Sequence, residues 1–283
     1  MLRVFLVVCS LFWVSTVHAQ WNKNWDMQAE AISNYFDFNE MDAGNSRVHE
    51  HGALFGFSLG AKKFIAGQHW YTGLDYSQYG GLVNYEGFAN NGEQTHQTNS
   101  MESIFDTRLT LGRQINNWQS PDSLSLFTSV GFYYWMRDIK TRDRKLGPLE
   151  TYQWFYLQAG AQGLIARFHR WHLLTELAIS RSFQPRMQVN FKSANYKDRV
   201  LEPGSHYGVE LALPLEYRNR KNLKFSIRSY VRFWELGQSP SVLLLDKNGY
   251  PRDSSGGASY EYHYEPHSTT LIWGLNLGIE KRF

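Results

Sequence analysis

From Thr269 to Phe283 the chain keeps one strict pattern. Leu271, Trp273, Leu275, Leu277, Ile279 and Phe283 alternate with Thr270, Gly274, Asn276, Gly278, Glu280 and Arg282. A period of two sends successive side chains to opposite faces, so this stretch predicts a strand with an apolar face and a small or polar one. The same period recurs upstream. Ala53, Phe55, Phe57 and Leu59 alternate with small residues, Trp70 to Tyr76 with Gly73 and Asp75, and Phe105 to Leu111 with Asp106 and Arg108. Longer runs follow at Leu124–Tyr134, Phe155–Ile165, Trp171–Ile179, Tyr207–Tyr217 and Leu223–Phe233, and Trp25–Tyr35 gives a weaker first strand.

Counting these runs gives about ten strands, with roughly eight to twelve as the range, each long enough to cross a bilayer when tilted. Polar segments separate them: Asp42–Ser46, Tyr85–Ser100, Arg137–Glu150, Phe183–Ser205 and Glu235–Ser268 read as loops. With both ends on one side, the connections near Lys62, Asn117, His169 and Arg220 are short and those on the other side are all long. That asymmetry of short periplasmic turns and long outer loops is expected of a membrane barrel. The alternative is a secreted sandwich or lipocalin-like barrel, whose apolar rows point inward and whose other face is richly charged. Here the other face is Gly, Ser, Thr, Gln and Tyr with scattered charges, which suits a narrow lumen. The negative mean hydropathy excludes a helical bundle in the membrane but not a barrel, because the two strand faces cancel.

The start of the chain reads as a secretory signal. Arg3 precedes the apolar run Val4–Val14, and Val17 and Ala19 supply a cleavage site, giving residues 1–19 as leader and 20–283 as a single barrel domain. The single Cys, Cys9, lies inside the leader's apolar run, so the mature chain holds neither disulfides nor a thiolate metal site. A formal charge of +3 leaves no nucleic-acid footprint.

The terminal strand closing on Phe283 resembles those of bacterial outer-membrane β-barrel proteins. The resemblance implies an all-β, transmembrane, antiparallel up-and-down barrel in the cell outer membrane with both termini periplasmic. It also implies that Phe283 is read by the barrel-assembly machinery, and that the partners are outer-membrane lipid or lipopolysaccharide and an extracellular ligand. Strand number and loop asymmetry are similar to those of the omptin proteases, but the acidic motif of that family is missing: no Asp-x-Asp or Asp-x-His occurs.

If the apolar rows meet lipid, Glu30, Asp75, Asp106, Arg108, Glu176, Glu210, Glu216, Lys224, Arg228 and Arg232 face the lumen. Folding the last-but-one hairpin about Arg220 sets Glu216 opposite Lys224 and Glu210 diagonal to Arg228 and Arg232, a set of ion pairs. Desolvated charges in a narrow barrel have to be paired, which favours a structural plug over a polar pathway in which arginines select anionic solutes. Trp135, Tyr156, Tyr230 and Trp234 add bulk to that lumen. Rim histidines beside acids, His206 with Glu210 and His263 and His267 near Glu261 and Glu265, leave a hydrolase as the least favoured reading. His49 and His51 lack the partners a metal needs. Outside the barrel, Tyr260, Tyr262 and Tyr264 alternate with Glu261, His263 and Glu265 and form a candidate ligand-binding stripe. The functional expectation is a non-enzymatic surface protein, structural or ligand-binding through its loops. A narrow channel is the alternative. No cofactor is expected.

Overall fold

In the computed structural model, residues 24–42, 45–65, 69–88, 94–115, 124–142, 147–192, 196–219, 222–251 and 262–283 are described. The leader, Tyr260, and the reversals at Asn117 and Arg220 lie outside these residues. Thirteen strands follow one another: β1 (Trp25–Asp42), β2 (Asn45–Phe64), β3 (Trp70–Phe88), β4 (Gln94–Gln114), β5 (Ser125–Ile139), β6 (Leu149–Phe168), β7 (Trp171–Asn190), β8 (Arg199–Leu201), β9 (Tyr207–Arg218), β10 (Leu223–Leu236), β11 (Val242–Leu243), β12 (Tyr262–His263) and β13 (His267–Arg282).

Ten of them form a closed antiparallel barrel in which each strand lies beside its neighbours in sequence. β1 pairs with β13, and a β6–β7 pairing completes the ring. Closure leaves no strand edge unpaired, the condition a sheet has to meet wherever water is absent. The seam is zipped to its end: Phe283 N–H donates to Trp25 O at 2.8 Å, and Asn24 N–H donates to Phe283 O at 3.0 Å. β8 adds to the outer end of β7, while β11 and β12 pair as a separate ribbon.

Which face is which follows from exposure. Leu277 on β13 is 59% exposed and Leu109 on β4 is 61% exposed, whereas Ile272, on the inner face of β13, is 0% exposed. Leu, Ile, Val and Phe rows run around the whole outside, including Leu157, Ile179, Leu211 and Ile227. An apolar band of that extent suits hydrocarbon and not water.

The structure corrects the loop boundaries. Tyr85–Ser100 is mostly ladder, since β3 reaches Phe88 and β4 begins at Gln94, and Phe183 lies inside β7, which continues to Asn190. β1 and β2 still pair at Asp42 and Asn45, so the first connection at the loop end is short, not long. Beyond the apolar band the outer face turns polar and the inner face mixes polar with apolar residues, so regular hydrophobic alternation fades while backbone pairing continues.

Candidate functional site: a three-layered lumen

The inner faces build three layers. At the end that carries the termini, a polar chamber of about 200 Å³ is lined by Glu30, Asp75, Arg108, Glu176, Glu216 and Lys224, among others. Arg228 Nη2 lies 2.5 Å from Glu210 Oε1 and 3.1 Å from Glu176 Oε1. Arg232 bridges Glu210 Oε2 at 2.8 Å and Asp106 Oδ2 at 3.0 Å, and Tyr156 donates its hydroxyl to Asp106 at 2.7 Å. Lys224 Nζ sits between Glu216 at 2.9 Å and Glu280 at 2.7 Å. Arg108 lies 3.7 Å from Asp75 and donates to Gln158 at 3.0 Å, while Glu30 accepts from Asn276 at 2.8 Å.

The ten lumen residues named from the sequence therefore share one interior, but the register differs from the hairpin folded about Arg220. Lys224 stands opposite Arg218, and Arg232, not a diagonal neighbour, stands opposite Glu210. Long side chains absorb the two-residue difference, and Glu216 still reaches Lys224. The sequence reading missed Glu280, Arg218 and the Asp26–Arg282 pair at 2.6 Å. Glu280 was visible on the inner face of the terminal strand. Its partner on β10 was not, because those strands meet across the longest connection.

Above the chamber lies an aromatic plug. Trp135 stacks on Tyr152 with centroids 4.7 Å apart and receives the edges of Phe36 and Phe38 at 5.6 and 5.0 Å. Tyr133 stacks on Trp154 at 4.4 Å, and Trp234 packs edge-on against Trp154 at 5.7 Å. Leu54, Ile104 and Ile272 fill the remaining space without any exposure. Aromatic contacts of this kind add to the area they bury.

The third layer, toward the loop end, is centred on Arg137. Its Nη1 donates to Glu40 at 2.9 Å, Glu150 at 2.8 Å and Tyr152 at 2.9 Å; its Nη2 donates to Glu50 at 2.8 Å. The guanidinium also lies 4.4 Å from the Phe38 ring centroid. Glu102 accepts from Ser100 Oγ and, at 2.5 Å, from Trp135 Nε1. Glu265 closes the group from the last connection: its carboxylate accepts from Tyr152 at 2.7 Å, and its N–H donates to Ser239 Oγ at 2.8 Å. Burial and the neighbouring Glu40 and Glu150 carboxylates hold the Glu265 carboxyl well above its ordinary range. Sequence reasoning assigned Arg137–Glu150 to a solvated loop and missed this layer. The available signal was that Arg137 continues the inward row of Tyr133 and Trp135, as Glu150 does that of Tyr152 and Trp154.

The rim residues scatter. Tyr264 donates to Asp42 at 2.8 Å, whereas Tyr262, on β12, is exposed. His206 does not face Glu210, which is buried in the lumen; it lies 3.7 Å from Glu235, whose carboxylate is 2.6 Å from His267 Nε2. His263 packs edge-on to Phe191 and is held below the usual imidazole range by burial. His49 stacks on His51 and lies 3.3 Å from Asp37. Among the described residues no three acidic, His or Cys side chains are arranged to hold a metal ion.

No family model matches the chain, and no curated protein matches it. Solved structures do. The outer membrane protease OmpT from Escherichia coli is 11% identical with a TM-score of 0.55, over 95% of this chain and 100% of that one. The translocator domain of the autotransporter NalP from Neisseria meningitidis has 9% identity and a TM-score of 0.44 over 99% and 96%. OprG from Pseudomonas aeruginosa has 8% and 0.41 over 92% and 96%. The likeness to OmpT concerns fold alone, and with the closed ring and apolar exterior it gives this chain the fold of the bacterial outer-membrane β-barrels.

Proposed function

We propose that the protein is a closed outer-membrane barrel: a non-enzymatic surface protein whose loop end faces the outside and whose termini face the periplasm. The observation that carries this reading is the blocked lumen. A plug around Trp135 and Tyr152, capped by the Arg137 cluster, lies across the path of any solute. Lumen arginines that would select anions are engaged: Arg228 and Arg232 each contact two carboxylates. On this reading Phe283 is the mark taken up by the barrel-assembly machinery, and an extracellular ligand engages Tyr262, the exposed residue of the β11–β12 ribbon.

Purified protein in planar bilayers is expected to stay silent at neutral pH. Steady conductance steps would reject the closed barrel in favour of the narrow channel. Deleting residues 241–264 is expected to leave heat-modifiable folding intact and to remove binding to surface ligands; binding retained by the deletion would count against the ribbon.

A further inference from the structure

On the outside of β7 the exposed row runs Ile179, Arg181, Phe183 and then changes phase. Phe155 of β6 pairs with Phe183, but Gln153 pairs with Arg186, so β7 carries one extra residue there. Gln184 takes the strain, with a left-handed φ of 47° that a non-glycine side chain rarely adopts. Without this bulge Arg186, an even-numbered residue like the buried Ser180 and Ser182, would point into the barrel. With it, Arg186 and Arg181 share the outer face while Met187 and Val189 take the inner one. Bulges commonly re-aim a side chain in this way at functional positions.

The surroundings identify what the two cations face. Phe155, Phe183 and Tyr207, all exposed, surround Arg181 at the upper margin of the apolar band, and its guanidinium lies 5.4 Å from the Tyr207 ring centroid. Three acids on the outer collar have side-chain partners in the protein: Asp138 meets Lys140 and Lys192, Glu235 lies against His267, and Asp37 lies against His49. Arg181 has a single polar contact, Tyr207 Oη at 3.4 Å, and among the described residues Arg186 has neither an ion pair nor a hydrogen bond. A planar guanidinium at a lipid–water boundary matches a phosphate oxygen pair better than any other anion available at that depth.

We propose that Arg181 and Arg186, brought to one face by the Gln184 bulge, form a binding site for the phosphate of an acyl-lipid headgroup. Phe183, between them, packs on the lipid's first methylenes. The site rests on the membrane placement proposed above, so insertion and headgroup binding have to be scored separately.

Flotation with zwitterionic vesicles reports insertion; failure of the wild-type chain to float contradicts the membrane reading and the site with it. Native mass spectrometry of the inserted barrel then measures retention of a bisphosphorylated glycolipid, the same lipid stripped of phosphate, and sodium phosphate. Wild type is expected to hold the phosphorylated lipid roughly tenfold better than the stripped one, and the Arg181→Gln/Arg186→Gln pair to lose that preference. The Arg181→Lys/Arg186→Lys pair should recover part of it, and Arg113→Gln, at the opposite end of the barrel, should change nothing. Equal retention of both lipids by wild type, an undiminished preference in the double Gln variant, or displacement by sodium phosphate alone at equal concentration would each overturn the proposal.

Discussion

At the scale of single residues, Arg137 is the most consequential. Among the described residues it is the single cation in direct contact with Glu40, Glu50 and Glu150, and its removal strands buried carboxylates. Breaking a buried pair from one side typically costs about 3–5 kcal/mol, so Arg137→Ala is expected to lower the urea unfolding free energy by that order. Arg137→Met together with Glu40→Gln, Glu50→Gln and Glu150→Gln, which removes the cation and the three carboxylates it contacts, should recover much of it. An Arg137→Ala barrel as stable as the parent would mean the layer is solvated. Glu265 gives the matching pH dependence. Its proton is retained in the folded mouth and released by the unfolded chain above the ordinary carboxylate range near 4.3, so each added pH unit in that window favours unfolding. Stability should therefore fall as pH rises above the ordinary carboxylate range, by up to about 1.4 kcal/mol per unit for this one group, and Glu265→Gln should flatten the slope. Parallel slopes for parent and variant would contradict the assignment.

At the scale of elements, the lumen is shaped by small residues set beneath large ones. Gly131 on β5 faces the Tyr156 ring of β6 so closely that an added Cβ would overlap it. Gly131→Ala is expected to displace Tyr156, break its hydrogen bond to Asp106 and cost about 1–3 kcal/mol, with an altered near-UV circular dichroism spectrum as a second readout. The same elements show what a reader of the sequence can reach. Strand identity and facing were legible wherever one face is apolar and exposed, because Leu and Phe at every second position mark the pleat. Pairing was less legible. The β9–β10 register came out two residues away since its reversal contains Arg218–Asn222, and charge clusters such as RNRKN carry no unique turn position. Above the band the ladder of β3 and β4 is written in Asn, Gly, Gln and His, which looks like loop although the backbone bonds continue. The Arg137 layer stayed hidden for the same reason.

At the scale of the whole molecule, the barrel is turned inside out twice. Its outside is apolar, and the middle layer of its inside is apolar too, so the plug resembles a soluble core enclosed by a wall that prefers hydrocarbon. Plug packing alone would suit either a soluble or a membrane barrel, and only the outer wall separates them. Leu109 tests it, being among the most exposed residues of the belt and five residues inside the end of β4. On a soluble surface Leu109→Arg would be nearly neutral, within about 0.5 kcal/mol. At the middle of a bilayer the same change costs about 2–4 kcal/mol, and less toward either boundary. Unfolding from vesicles is therefore expected to show the larger loss for Leu109→Arg and a smaller one for Thr72→Arg, whose position on β3 lies two residues from the strand's start at the terminal end. If both substitutions cost nothing, the belt does not touch lipid, and the barrel would have to be a soluble one that leaves its leucines in water.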